Sequence, residues 1–261
     1  MPQSTASRPP GTLGGMPRRF PSPSARRPAR GAAMLEFALA APPLLLLGLL
    51  AAETAHWHLA RQFAYVALLD AARAGATQHG RPQAIALAFE QALRPRHASP
   101  GGDARTAQQH AWRRIRSQAG LPAWRIEILQ PSADAFRAHA RHGLAVAGAP
   151  GRRVISNDYQ AEQHAARGAA PGGPTIFEAN TLHARLVYLH RPLAPLTRAL
   201  LRHTGRPAGS CAERARARGL LALQLELRIE MQSHPVDWHA APAARRAPVV
   251  YGDWNCARDG P

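Results

Sequence analysis

Residues 32–52 read AAMLEFALAAPPLLLLGLLAA, and the nature of this run decides the architecture of the chain. It holds a single charge, Glu36. As a helix rising ~1.5 Å per residue it spans roughly 31 Å, about one bilayer core. Upstream, residues 1–31 contain Arg8, Arg18, Arg19, Arg26, Arg27 and Arg30, no acidic residue, and many Pro, Ser and Gly, the composition of a disordered basic leader. Downstream, Glu53 follows at once. That asymmetry predicts a single transmembrane segment, Ala32 to Ala52, with the N-terminus in the cytoplasm and the remainder outside.

Three readings compete for the run. A cleaved secretory signal would find small residues for its cut site between Ala51 and Ala55, but its apolar stretch is normally shorter. A buried core helix leaves the arginine asymmetry without a cause. An anchored helix accounts for both, because the helical pattern does not stop at the membrane edge. Leu59, Phe63, Val66 and Ala67, with Ala60, Ala64, Ala71 and Ala74, recur at spacings of three and four, predicting one amphipathic helix on to about Gln78. Residues 32–79 are thus expected to be a transmembrane helix and its continuation, and residues 80–261 an exported domain.

Composition narrows the function. The 261 residues are 46% apolar with a net charge of +17, and every basic residue is Arg, with no Lys. The charge is spread along the chain without interleaved aromatics, so a nucleic-acid partner is not expected. Thirteen histidines invite a metal. His139 and His142 are three apart but lack a third ligand nearby, and His56 and His58 point to different helix faces, so no metal site is expected. No HExxH, GxSxG, phosphate-loop or dinucleotide glycine motif occurs, leaving no catalytic residue or cofactor to name. The two cysteines, Cys211 and Cys256, suit one disulfide in an oxidising compartment and two free thiols otherwise. Closing that loop of about 45 residues would add roughly 4 kcal/mol in the chain-entropy picture.

Glu36 is the informative charge. A carboxylate at a helix centre in lipid costs ~2.5–3.5 kcal/mol, less near the interface. Either it reaches the headgroups from one turn inside, or it meets a cation at that depth. A cut after Gly31 would create such a cation, the new amine of Ala32, with Glu36 at position five of the mature chain. A neighbouring subunit's amine could then pair with Glu36, offsetting burial of both charges and setting the stagger between packed helices.

Here a resemblance enters. RGAAMLEFALAAPPLLLLGLL is similar to the N-terminal motif of the TadE-like family, the pseudopilins of tight-adherence (Tad) pilus systems, with Gly31 before the cut, then Glu36, Phe37 and Pro42. ARQFAYVALLDAARAGAT resembles that family's Ala-rich continuation, RLVYLHRPLAPLTRALL its strand and Pro-flanked helix, and LALQLELRIEMQ its last strand. Pro43, which makes a Pro-Pro pair, departs from the pattern. The resemblance implies a non-catalytic subunit of pilus assembly in the bacterial inner membrane, its C-terminal domain periplasmic. It implies cleavage between Gly31 and Ala32 by a prepilin peptidase, and helix registration through Glu36 and Phe37. Its partners would be the peptidase, other pilin-like subunits, Tad assembly-platform proteins and the lipid bilayer. The alternative is an anchored or signal-exported periplasmic protein of other, even enzymatic, activity.

The exported part is expected to be α+β: a long N-terminal helix on a small antiparallel sheet with flanking helices, as in pilins. Helices are predicted over Pro82–Leu93 and, capped by Asp103 and closed by Gly120, to Gln118. Alternation predicts strands at Trp124–Leu129, with Arg125 and Glu127 on the wet side, at Thr181–His190 and at Leu221–Gln232. Residues 143–180 and 203–219 read as long exposed loops, and the tail with Trp238, Tyr251 and Trp254 as docking on the domain.

Overall fold

The structure, a computed structural model, describes residues 30–98, 100–168, 173–239 and 248–252, which divide between Leu46 and Leu47 into two units. Helix α1, Arg30–Thr77, begins in the first unit and ends in the second, and remains helical through Pro42 and Pro43. Each proline removes one i→i−4 bond, so the carbonyls of Ala38 and Leu39 lose their intrahelical donors.

In the second unit α1 turns a face of small residues inward: Ala60, Ala64, Ala67, Leu68, Ala71, Ala72 and Ala76 are buried. Such side chains let the helix backbone approach its neighbours closely, and larger residues elsewhere fill the volume. Leu59 and Val66, expected on the buried face, are instead half exposed. The helix ends in a left-handed turn. His79 adopts a positive φ, and the Gly80 N–H donates to the Gly75 carbonyl at 2.9 Å. The Ser233 hydroxyl completes the cap, accepting from the His79 N–H and donating to the Ala76 carbonyl, both at 2.8 Å.

Helix α2, Pro82–Ala92, opens on proline and buries Ile85 and Phe89; a short 3-10 turn, Arg94–His97, follows. In α3, Ala104–Ala119, Asp103 accepts from the amides of Arg105 and Thr106, and Gly120 closes the helix at positive φ, as expected. Then come β1, Trp124–Gln130; α4, Ala133–His139; β2, Ala140–Arg141; β3, Val154–Ile155; α5, Gln160–Arg167; and α6, Ile176–Ala179. The last third holds β4, Thr181–His190; α7, Pro195–Thr204; α8, Cys211–Ala217; β5, Leu221–Glu230; and β6, Val249–Tyr251.

The main sheet runs β5-β4-β1-β6. β4 pairs antiparallel with β1 and with β5, but β6 lies parallel to β1, so the sheet is mixed and not antiparallel throughout. One face carries Ile126, Ile128, Leu182, Leu186 and Leu225 into the core shared with α1 and α2. Each large side chain fully buried there contributes about 1.5–3 kcal/mol. The other face is not simply wet. Arg125 and Glu127 are buried, and Arg185 bridges Glu127 at 3.4 Å and Glu226 at 2.7 Å, a cross-strand row of alternating charge.

Two stretches expected as exposed loops are structured. Residues 143–180 contain β3, α5 and α6, with Ile155, Ile176 and Ala179 packed against Phe136 and Ala135 in a satellite core. A second such core joins Val146, Ala149 and Val154 to Val236 and Trp238. Capping boxes start α6, at Thr175 with Glu178, and α8, at Ser210 with Glu213. Trp238 and Tyr251 dock as expected, Trp238 Nε1 donating to the His79 carbonyl at 2.9 Å and the Tyr251 hydroxyl to that of Gly80, while Trp254 lies outside the described residues.

Candidate functional site

The first candidate is the opening of α1. The helix backbone includes Gly31 and Ala32. Beyond them Met34, Leu35, Phe37, Leu39, Leu44, Leu45 and Leu47 are exposed, Phe37 at 73%. Glu36 stands exposed among these apolar side chains, and no ion pair or hydrogen bond holds it among the described residues. The segment is long and apolar enough to cross a membrane.

The second candidate is the collar where that apolar run ends. Glu53, which the sequence offered only as a charge at the membrane edge, accepts two backbone hydrogen bonds, from Leu193 N–H at 3.1 Å and Ala194 N–H at 2.8 Å. These amides lead into α7, whose N-cap Ala194 has no side chain to cap with. One turn further along α1, His56 lies against His190 with ring centroids 5.0 Å apart, and Arg96 reaches His190 Nδ1 at 3.4 Å. Burial, with Arg96 and then His56 adding repulsion, lowers His190 to about 4. Burial and Arg96 likewise hold His97 at about 4. Both rings are therefore neutral near pH 7, and the positive charge of the collar comes from arginine. Arg96, Arg114 and Arg191 line one small cavity with His97, Trp112 and Tyr188.

Other tempting groups have structural uses. His139 is buried with Nε2 2.7 Å from the Pro174 carbonyl, tying α4 to the chain ahead of α6. No group of three or more His, Cys, Asp or Glu that could hold a metal occurs among the described residues. Asp237 forms a pair with His239 Nδ1 at 2.8 Å and accepts from Arg153 Nε at 2.9 Å. Burial acts to raise that carboxyl, but the bonds from His239 and Arg153 outweigh it and hold it at about 2. His239 packs against the rings of Phe136 and Tyr251, so the pair fastens the tail. Cys211 opens α8, half buried against the main core, while Cys256 lies outside the described residues. No family model matches the chain, and neither a curated protein nor a solved structure matches it.

Proposed function

We propose that this chain is a non-catalytic, pseudopilin-like membrane protein that takes part in assembling a Tad-type pilus. The observation that carries the reading is the division of labour along α1. Its opening is bare and apolar with one exposed carboxylate, and its continuation is the spine of an α+β domain. The helix is a natural product of export: the basic leader stays in the cytoplasm, residues 32–52 span the inner membrane, and the domain stands in the periplasm.

In this reading a prepilin peptidase cuts after Gly31, discarding six arginines and leaving a net charge of +11 from the original +17. The new Ala32 amine of one subunit meets Glu36 of its neighbour. Pairing removes much of the cost of holding a carboxylate in lipid, and because the pair has one geometry it sets the axial stagger. Above the membrane the exposed Leu59, Tyr65 and Val66 extend the lateral contact along α1. In the oxidising periplasm Cys211 and Cys256 close a disulfide that ties the tail to α8.

Intact mass of the membrane-extracted protein tests this directly. The reading expects a mature chain starting at Ala32, and full retention of the leader in Gly31→Ala. An N-terminus between Glu53 and Ala55 would establish a secretory signal instead. Glu36→Val should be processed like the native chain yet assemble no pili; normal piliation would remove the role given to the carboxylate.

A further inference from the structure

α7 faces the opposite way from a helix packed on a water-soluble domain. Such helices turn the apolar stripe to the core. Here Leu193, Leu196 and Leu200 are 57%, 61% and 64% exposed, and no residue of α7 is buried. Leu196 and Leu200, four apart, share one side of the helix, and Leu193 lies in the extended residues just ahead of it. The side turned to the protein packs on α8 and Gly219 and carries Arg198 and Arg202.

The helix is also tied to one particular height. Glu53, which holds the two amides just ahead of α7, is the residue directly after the apolar run, and Leu49 and Leu50 just before it are exposed. The leucine stripe thus begins at the level where α1 leaves its apolar stretch. Its surroundings are basic: residues 191–212 hold Arg191, Arg198, Arg202 and Arg206 and no acidic residue. Arg191 further joins Arg96 and Arg114 around the collar cavity.

We propose that α7 is an interfacial helix seated in the outer leaflet of the bilayer that α1 spans, an inference that rests on α1 being a membrane anchor. Leu193, Leu196 and Leu200 enter the boundary between headgroups and acyl chains, and the exposed Arg191 and Arg206 at the two ends of the segment meet lipid phosphates. Two points favour lipid over a protein partner. The stripe begins beside Glu53, the residue that ends the apolar run of α1, and the arginines at its ends complement anionic headgroups. Seated this way, α7 gives the chain a second foothold and fixes its rotation about the membrane normal, which a single spanning helix leaves free.

The test uses the full chain in vesicles of phosphatidylethanolamine and phosphatidylglycerol, with p-benzoylphenylalanine placed in turn at Leu196, Leu200, Leu45 and Tyr159. Leu45 lies inside the apolar run. Tyr159 is 78% exposed in a segment bound, through Asn157 and His234, to the far end of α1. After irradiation, mass spectrometry should find phospholipid adducts at positions 196, 200 and 45 and none at 159. Glu53→Gln should reduce the adduct at position 200 severalfold while sparing that at 45. Lipid at 45, with position 196 and 200 joined to a second protein chain or to nothing, overturns the inference and leaves the anchor standing. Absence of lipid at 45 as well overturns the anchor itself.

Discussion

From Met34 to Leu50, α1 presents leucine and phenylalanine to its surroundings; from Ala60 to Ala76 it presents alanine to a sheet. Hydrophobicity alone would assign these roles the other way round, since the larger side chains have more to gain from burial in protein. Side-chain size, not apolarity, separates the face of α1 that packs on protein from the bare run that is long and apolar enough to cross a membrane. Against a sheet, small residues allow close approach and the strands supply the volume. In lipid the solvent itself is apolar, and large side chains meet it without cost.

The collar beside the packed stretch titrates, and there the largest effect is expected. His190 is held neutral by burial against His56 and Arg96, with a folded pKa of about 4 against an ordinary 6.5. A group depressed on folding adds stability that is complete above pH 6.5 and is lost as pH falls toward 4. The full difference is about 3 kcal/mol for this one ring, roughly 6–12 °C in Tm. Thermal unfolding followed between pH 7 and pH 4 should show that decline, and His190→Phe should make it shallower, with His97 keeping a decline of its own over the same window. A Tm constant across the window would mean the ring is not held as described. Asp237, at about 2, contributes only below its ordinary value of 3.8, so the two losses separate on the pH axis.

Two glycines compare the stretches directly. A Cβ on Gly75 would come 2.8 Å from Leu182 Cδ2 and 3.0 Å from Ile85 Cδ1, whereas one on Gly48 meets nothing within 4 Å. Gly75→Val should destabilise the domain by about 1–3 kcal/mol, the usual penalty for overpacking. Gly48→Val should leave its unfolding unchanged. Equal melting curves for the two variants would erase the distinction between the stretches.

Much of this fold was legible in sequence. Strict alternation marked β4 to the residue, and Asp103 and Gly120 marked the ends of α3, because each signal is local and periodic or stereochemical. β6 has three residues behind a proline, too short for a period, and its parallel pairing with β1 depends on how the tail returns. The loop expectation followed the Gly, Ala and Pro content of residues 143–180 and the basic, polar character of 203–219, which outweighed the Thr175–Glu178 and Ser210–Glu213 capping boxes that could have located α6 and α8. In the candidate site, Glu36 stood out as the lone charge of the apolar run, and it is exposed there. The bond from Glu53 to Leu193 and Ala194 was not legible, since 140 residues separate the groups. A helical period in α7 also carries no information on which side meets the protein.

Glu53 is where the two stretches join, so it offers the finest test of the comparison. Its carboxylate holds the two amides just ahead of α7, and losing a hydrogen bond of this kind costs about 0.5–1.5 kcal/mol. Glu53→Ala should therefore lower stability by about 1 kcal/mol, less than Gly75→Val, with the change concentrated in α7. Hydrogen exchange would resolve this, the amides of Leu193 and Ala194 losing protection while those of β4 keep it. Glu53→Gln keeps one oxygen acceptor without the charge and should fall between Ala and the native residue. If α7 keeps its protection in both variants, its packing on α8 is sufficient by itself, and its link to the end of the apolar run is incidental.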